Sequence, residues 1–381
     1  MFSRAAGTRA AAHNRILEEP AMAKARSLVG LDVHATKIVA AVLDVETGQL
    51  QCFTLGGETE KAAAFCEQLP GPVRAAYEAG PTGYGLAREL EKRGVDCVVV
   101  APSKIPRAAG ERVKTDRRDA EHLVRLLMAG KLHPVRVPGR EEEALRDLVR
   151  ARETVRMDLM RARHRLSKLL LRHGHRFEDG NAWTDRHRQW LADIDLGWPA
   201  AQTTLLDYRG AIDALFLRRD SLEREIVTLL PSSPWTVQAG RLRCLRGVDT
   251  LTAVGLCAEI GDFERFAKPE RLMSYIGVVP SEATTGQQRR LGSITKTGSA
   301  HARRLLTEAA WHYRPRPNLG KALTERQKHQ PPAAVAIAWK AQLRLHRTWT
   351  RLEARNKRRT LIAVAAAREL AGFCWAITQI E

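Results

Sequence analysis

Four carboxylates stand at positions where an acidic side chain does not suit a core. Asp32 ends the β-rich run Val29-Gly-Leu-Asp-Val-His34, and Glu78 ends another in Ala76-Tyr-Glu-Ala-Gly80. Asp116 and Asp119, in Lys114-Thr-Asp-Arg-Arg-Asp119, are three apart near a helix start and so share a helix face. An unpaired buried charge is costly, so an acid at a strand tip belongs at the edge of a sheet. Gathered at one edge, the four would make an oxygen-rich site for Mg2+, with Mn2+ a possible substitute. Two such ions about 3.5–4 Å apart clamp the attacking and leaving oxygens of a phosphoryl displacement. Each acid also has an ordinary reading as a turn former, a helix cap or a first-turn residue favoured by the helix dipole. Composition alone does not join them. His34, beside Asp32, reads as a metal neighbour or as a partly exposed structural histidine.

A second chemical candidate is the segment Val279-Pro-Ser-Glu-Ala-Thr-Thr-Gly-Gln-Gln-Arg-Arg290, where hydroxyls, glycine and arginines interleave. Gly286 permits close approach of a phosphate, and Arg289 and Arg290 can neutralise it. A hydroxyl aimed at phosphorus could form a covalent enzyme–DNA bond that conserves the phosphodiester for rejoining. A solvated basic turn is the plain alternative.

The 381 residues carry 62 Lys and Arg against 43 Asp and Glu, a net charge of +19. The excess is concentrated at the C-terminal end, where residues 241–381 hold 25 basic and 11 acidic groups, so that third is the expected polyanion surface. Lys296, His301, Arg303, Arg304 and the run Arg355-Asn-Lys-Arg-Arg359 are candidate phosphate contacts. The six cysteines form no CxxC pair, which argues against a zinc knuckle or disulfide framework and fits a reducing cytosol. No run of about 18 apolar residues suggests a membrane span, and no membrane partner is expected. Residues 1–26 read as a flexible extension without a secretory h-region, and Met22 fits as an alternative start.

These candidates need elements to position them. Residues 27–140 predict a mixed α/β sheet: strands at 27–33, 38–45 and 50–55, a helix at 58–69, a strand at 73–78, a helix at 83–93, a strand at 95–101 and a helix over 115–129. Residues 141–234 carry two heptad series, Leu145 to Leu169 and Leu205 to Leu229, each with one misfit, Arg152 and Arg219. They predict a coiled coil, either an antiparallel hairpin or an interchain pair. Residues 235–381 predict a mostly helical domain, with a helical hairpin at 245–260, a helix at 270–279, a polar loop at 281–298, basic helices at 300–313, 332–357 and 361–377, and a flexible connection at 318–330.

The ordered motifs resemble a known family. Gly30-Leu-Asp-Val-His34, Tyr77-Glu-Ala-Gly-Pro-Thr-Gly83, Lys114-Thr-Asp-Arg-Arg-Asp-Ala120, Ser274-Tyr-Ile-Gly-Val-Val-Pro-Ser-Glu282 and Gly292-Ser-Ile-Thr-Lys-Thr-Gly298 resemble the DEDD transposases of bacterial insertion sequences, whose targeting is directed by a bridge RNA. The resemblance covers nearly everything after about Ser27. It implies a RuvC-like, ribonuclease-H-type N-terminal domain, a coiled-coil insert and a C-terminal transposase domain. It also implies that Asp32, Glu78, Asp116 and Asp119 coordinate Mg2+. Such enzymes use a serine before a glycine as nucleophile; the aligned position here is Thr285, whose β-branch crowds its oxygen. Ser281 and Ser293 are the reserves. Leu245–Leu256 resembles a helix-hairpin-helix, with Asp249 where a second glycine is common.

The resulting expectation is a Mg2+-dependent transposase that cuts and rejoins double-stranded DNA. It would be guided by a structured RNA and assembled as a dimer or tetramer at the bacterial nucleoid, with Arg289, Arg290, Lys296, Arg303 and Arg304 on nucleic acid. The alternatives are a structure-specific nuclease using water and a non-catalytic nucleic-acid-binding regulator.

Overall fold

The computed structural model describes residues 25–106, 115–283 and 290–380. Contacts divide the chain into two compact units, 1–138 and 139–381.

The first unit opens with three antiparallel strands, β1 (Ser27–Val33), β2 (Lys37–Asp44) and β3 (Leu50–Gly56). Helix α1 (Thr59–Glu67) leads to β4 (Val73–Glu78), and α2 (Gly85–Lys92) to β5 (Asp96–Val100). Strand β4 pairs in parallel with both β1 and β5, giving the order β3-β2-β1-β4-β5. Helix α3 (Asp116–Met128) closes the unit. This is the mixed sheet that the strand pattern predicted.

Both faces of the sheet are covered, which is why its central strands read as almost unbroken apolar runs. Val29 and Leu31 lie with Ala63, Cys66, Leu86 and Leu90 on the face of α1 and α2. Leu28, Ala76 and Val98 lie with Ala120, Leu123 and Val124 on the face of α3. Side chains alternate along a strand, so Asp32 shares the α3 face with Leu28, and Glu78 shares it with Ala76.

Gly30 sets how close α3 can come. A Cβ on Gly30 would stand 2.2 Å from the Ala120 carbonyl oxygen and 2.7 Å from the Val124 nitrogen. Only hydrogen at this position lets the α3 backbone lie directly on β1. Thr115 caps the helix, its hydroxyl accepting from Arg118 N at 3.3 Å. That leaves Asp116 and Asp119 in the first turn beside the end of β1 rather than employed as caps.

The second unit begins with two long helices, α4 (Arg140–Arg172) and α6 (Pro199–Leu229), joined through α5 (Asp185–Ala192). They pack against each other antiparallel within the chain. Leu145 and Val149 meet Ile226 and Leu230 at one end, and Leu159, Leu166 and Leu169 meet Leu205 and Ile212 at the other. The two misfits in the heptads account for each other. Arg152 donates to Glu223 on the facing helix, and Arg219 lies 3.6 Å from the same carboxylate. The apolar series thus closes inside one chain and gives no reason by itself to expect an interchain pair.

The remainder is helical apart from one ribbon: α7 (Thr236–Leu242), α8 (Thr250–Ile260), α9 (Pro269–Ile276), β6 (Pro280–Glu282), β7 (Leu291–Ile294), α10 (Ala300–Ala310), α11 (Lys321–Gln327), α12 (Pro332–Glu353) and α13 (Arg359–Thr378). Three local expectations are corrected. The segment expected as a polar loop contains the antiparallel pair β6–β7, closed where Ala283 N donates to Arg290 O at 3.0 Å. The connection expected to be flexible carries α11, held where Gln327 Nε2 donates to Cys244 O. The expected helical hairpin at 245–260 is α8 alone, preceded by a turn that separates it from α7.

One described helix, α13, is long and apolar enough to cross a membrane by length and composition. Arg368 and Glu369 hide it from a search for unbroken apolar runs. Ile362, Ala366, Leu370 and Cys374 place it inside the core of this unit, against α9, α10 and α12.

Gly30→Ala should lower the stability of the first unit by about 1–3 kcal/mol, because the helix backbone must move to admit a methyl group. Urea denaturation of the full chain measures this; an unchanged midpoint would mean that α3 does not rest on β1.

Candidate active site

The parallel register runs Leu31 opposite Tyr77, so the next residues, Asp32 and Glu78, fall at the same edge of neighbouring strands and on the same face. The β4 tip is fixed by Ala79 N donating to Val100 O at 2.8 Å and Tyr77 Oη donating to Gly83 O at 3.2 Å. Helix α3, seated on Gly30, brings its first turn to this edge.

Asp32, His34 and Asp116 converge there, each offering a ligand atom within 4.8 Å of the others. His34 Nε2 lies 3.1 Å from Asp32 Oδ2 and 3.6 Å from Asp116 Oδ1. Lys37 Nζ lies 2.5 Å from Asp116 Oδ2. Burial pushes the Asp32 carboxyl above the usual carboxylate range; His34 opposes that, while the charges of Asp116 and Asp119 reinforce it. The Lys37 hydrogen bond holds Asp116 below that range. The site therefore has an excess of negative charge that already draws an ammonium and an imidazole. Two carboxylates and an imidazole at this spacing fit a hard or borderline divalent ion.

Of the four predicted acids, the structure gathers Asp32 and Asp116 most tightly and places Asp119 within electrostatic reach of Asp32. Glu78 stands at the tip of the adjoining strand, outside that compact trio. His34 belongs to the cluster. Lys37 was missed, since a lysine opening a strand looks solvent-directed; the signal was its place directly after the short turn returning from the end of β1.

Thr285 and Arg289 lie outside the described residues, in the segment connecting β6 to β7. Ser281 lies in β6 and Ser293 in β7, Arg290 immediately precedes β7, and Lys296 is exposed just beyond it. Arg303 and Arg304, expected on nucleic acid, are engaged within the protein. One Arg303 nitrogen donates to the carbonyls of Ile276, Thr297 and Gly298 at 2.5–3.1 Å, bracing the base of the ribbon. Arg304 bonds Glu153 at 2.7 Å and Glu308 at 2.6 Å. Asp249, in the helix-hairpin-helix-like segment, caps α8 by accepting from Thr252 N at 2.7 Å. Its carboxylate thereby takes up one of the free amides at the α8 N-terminus.

His301 lies between two carboxylates, 3.6 Å from Glu153 and 3.5 Å from Glu259. Burial works against ionising Glu259, but hydrogen bonds from His301 and Arg150 prevail and hold it at about 2.

Two stretches of the chain match known transposase domains. Residues 29–174 match the DEDD transposase domain of the IS110 type, and residues 239–324 match the transposase domain of the IS116/IS110/IS902 family. A Sinorhizobium fredii protein described as "Putative transposase y4qE" is 40% identical over 360 residues, 93% of this chain and 88% of its own length. The transposase for insertion sequence element IS1533 of Leptospira borgpetersenii is 33% identical over 342 residues, 88% of this chain and 99% of its own. The acidic edge of a mixed sheet and these matches together define a DNA transposase of the DEDD class. Within that class, the chain belongs to the IS110/IS116 family of insertion-sequence transposases.

Glu259 is ionised more readily folded than unfolded, so its contribution to stability is present at neutral pH and is lost as pH falls from about 4.5 towards 2. Glu259→Gln should cost on the order of 3 kcal/mol at pH 7 and much less near pH 3. Urea denaturation at the two pH values reads the difference; a loss independent of pH would refute this account.

Proposed function

We propose that this insertion-sequence transposase cuts and rejoins DNA at a Mg2+ site built on Asp32, Glu78, Asp116 and Asp119. The observation that carries the reading is the convergence of Asp32 and Asp116 at the sheet edge that also ends in Glu78. The strand order, with three antiparallel strands followed by two parallel ones, supports a RuvC-like, ribonuclease-H-type unit. The paired heptad helices support a coiled-coil element.

When bound, the divalent ions supply charge neutralisation at the scissile phosphate and its two in-line oxygens. The remaining work belongs to the chain. The carboxylates fix the oxygen positions, and Lys37 and His34 balance their charge and can shift as a phosphate arrives. The hydroxyl of Thr285 attacks phosphorus and loses its proton; the bond to the departing DNA oxygen breaks, and that oxygen gains a proton. A DNA hydroxyl then attacks the phosphothreonine ester, releasing Thr285 and restoring a phosphodiester. No bond energy is lost to water, which is what permits rejoining.

Target choice rests in this proposal on base pairing with a structured guide RNA, held with DNA by the basic C-terminal third. The net charge of +19 supports that partner. Arg289, Arg290 and Lys296 are its proposed contacts near the loop, whereas the internal bonds of Arg303 and Arg304 favour a bracing role for those two. The proposed oligomer, a dimer or tetramer acting at the nucleoid, follows from the chemistry, because exchange between two DNAs needs several active sites.

An excision assay on a plasmid-borne element tests the reading. Asp32→Ala, Glu78→Ala and Asp116→Ala should each reduce excision about 100-fold or more, and activity should require Mg2+ or Mn2+. Thr285→Ser should retain a protein–DNA adduct resistant to denaturing electrophoresis, and Thr285→Ala should abolish it. Cleavage without any adduct would replace rejoining with hydrolysis by water, and excision that survives loss of the carboxylates would refute the site.

A further inference from the structure

The far end of the α4–α6 hairpin carries a feature that the transposition chemistry does not use. Phe177, Trp183, His187 and Trp190 form one aromatic cluster there, with ring centroids 4.9–5.4 Å apart. They line a cleft of about 350 Å3 that has Arg163 and Arg176 in its wall and no carboxylate. Arg163 stacks on Trp183 with its guanidinium carbon 4.6 Å from the ring centroid. Trp183 adopts φ +70°, a left-handed conformation that a bulky residue rarely holds without a reason.

Two groups in this wall lack partners. His187 is only 6% exposed, lines the cleft, and has no hydrogen-bond partner at Nδ1 among the described residues. Arg163 Nε is buried and likewise unmatched. Buried polar atoms are nearly always satisfied, so the unmatched imidazole nitrogen in this aromatic cleft points to a ligand that supplies the missing bond. Arg163 and Trp183 also line a second cleft, of about 330 Å3, which adds Arg209, Asp213 and Arg188, the last 3.3 Å from Asp185. The Arg163 guanidinium is disfavoured in its charged form by burial and by the neighbouring Arg219 and Arg188, a repulsion that an anion would relieve.

We propose that this tip binds an unpaired nucleotide of a nucleic acid, with its base among Phe177, Trp183, His187 and Trp190 and its phosphates on Arg163, Arg188 and Arg209. A base offers two flat faces for the rings and an edge that bonds the imidazole nitrogen; its phosphates answer the arginines. An acidic peptide would satisfy the cations and leave the aromatic wall and His187 unmatched. The choice of nucleic acid rests on the transposase reading, but the site does not depend on the carboxylate chemistry of the first unit.

Fluorescence anisotropy with the full chain tests the proposal, using a labelled continuous duplex and the same duplex with one central unpaired nucleotide, each made as DNA and as RNA. The wild type should bind the bulged form about tenfold more tightly, in DNA, in RNA or in both, which identifies the source of the nucleotide. Trp183→Ala and Arg163→Ala should erase that preference and leave continuous-duplex affinity unchanged, while Trp183→Phe should retain most of it. In a second measurement, 5-iodouracil at the bulge should crosslink to peptides within 177–190. Equal wild-type affinity for both forms, or crosslinks confined to other segments, would overturn the tip site alone. Failure of the wild type to bind either form would overturn the nucleic-acid reading with it.

Discussion

The approach of one helix backbone to one strand underlies the gathering of acids at the sheet edge. With hydrogen as its only side chain, Gly30 lets α3 lie directly on β1, where even a methyl group would collide with the Ala120 carbonyl. Asp116 and Asp119 belong to a segment more than eighty residues after Asp32, and no local interaction could bring them together. The contact at Gly30 does so through the backbone, which is stiffer than any pair of side chains. Thr115 completes the arrangement by taking the capping role, leaving the acids of the first turn available for other work.

The electrostatics follow from that geometry. Burial is what chiefly raises the Asp32 carboxyl, and repulsion from Asp116 and Asp119 adds to it. Lys37, which opens β2, pairs with Asp116, and His34, in the turn before it, lies against both acids. Asp119 stands within electrostatic reach of Asp32, and Glu78 ends the adjoining strand.

Much of this was legible in the sequence. The strands were, because a sheet covered on both faces leaves apolar runs bounded by turn residues. The long helices were, because Leu145 to Leu169 and Leu205 to Leu229 repeat at heptad spacing. The β6–β7 ribbon was not, since strands of only three and four residues carry no periodic signal. Nor were the roles of Arg303 and Arg304: a charge count cannot tell an arginine that faces phosphate from one that holds three carbonyls or a buried glutamate. Arg152 and Arg219 are the instructive case, because they looked like flaws in a pattern until Glu223 was found between them.

That shared carboxylate has a mechanical consequence. A purely leucine-lined pair of helices can slide by one heptad at modest cost, whereas Arg152 of α4 donating to Glu223 of α6 favours one register. With 33 residues, α4 is about 50 Å long, and locking its register turns the hairpin into a lever with its fulcrum beside Val149 and Ile226. From Val149 to Arg172 the arm is about 35 Å, so a tilt of about 5° at that fulcrum displaces the far end by about 3 Å. Whatever engages the far end therefore has leverage over the helices at the near end.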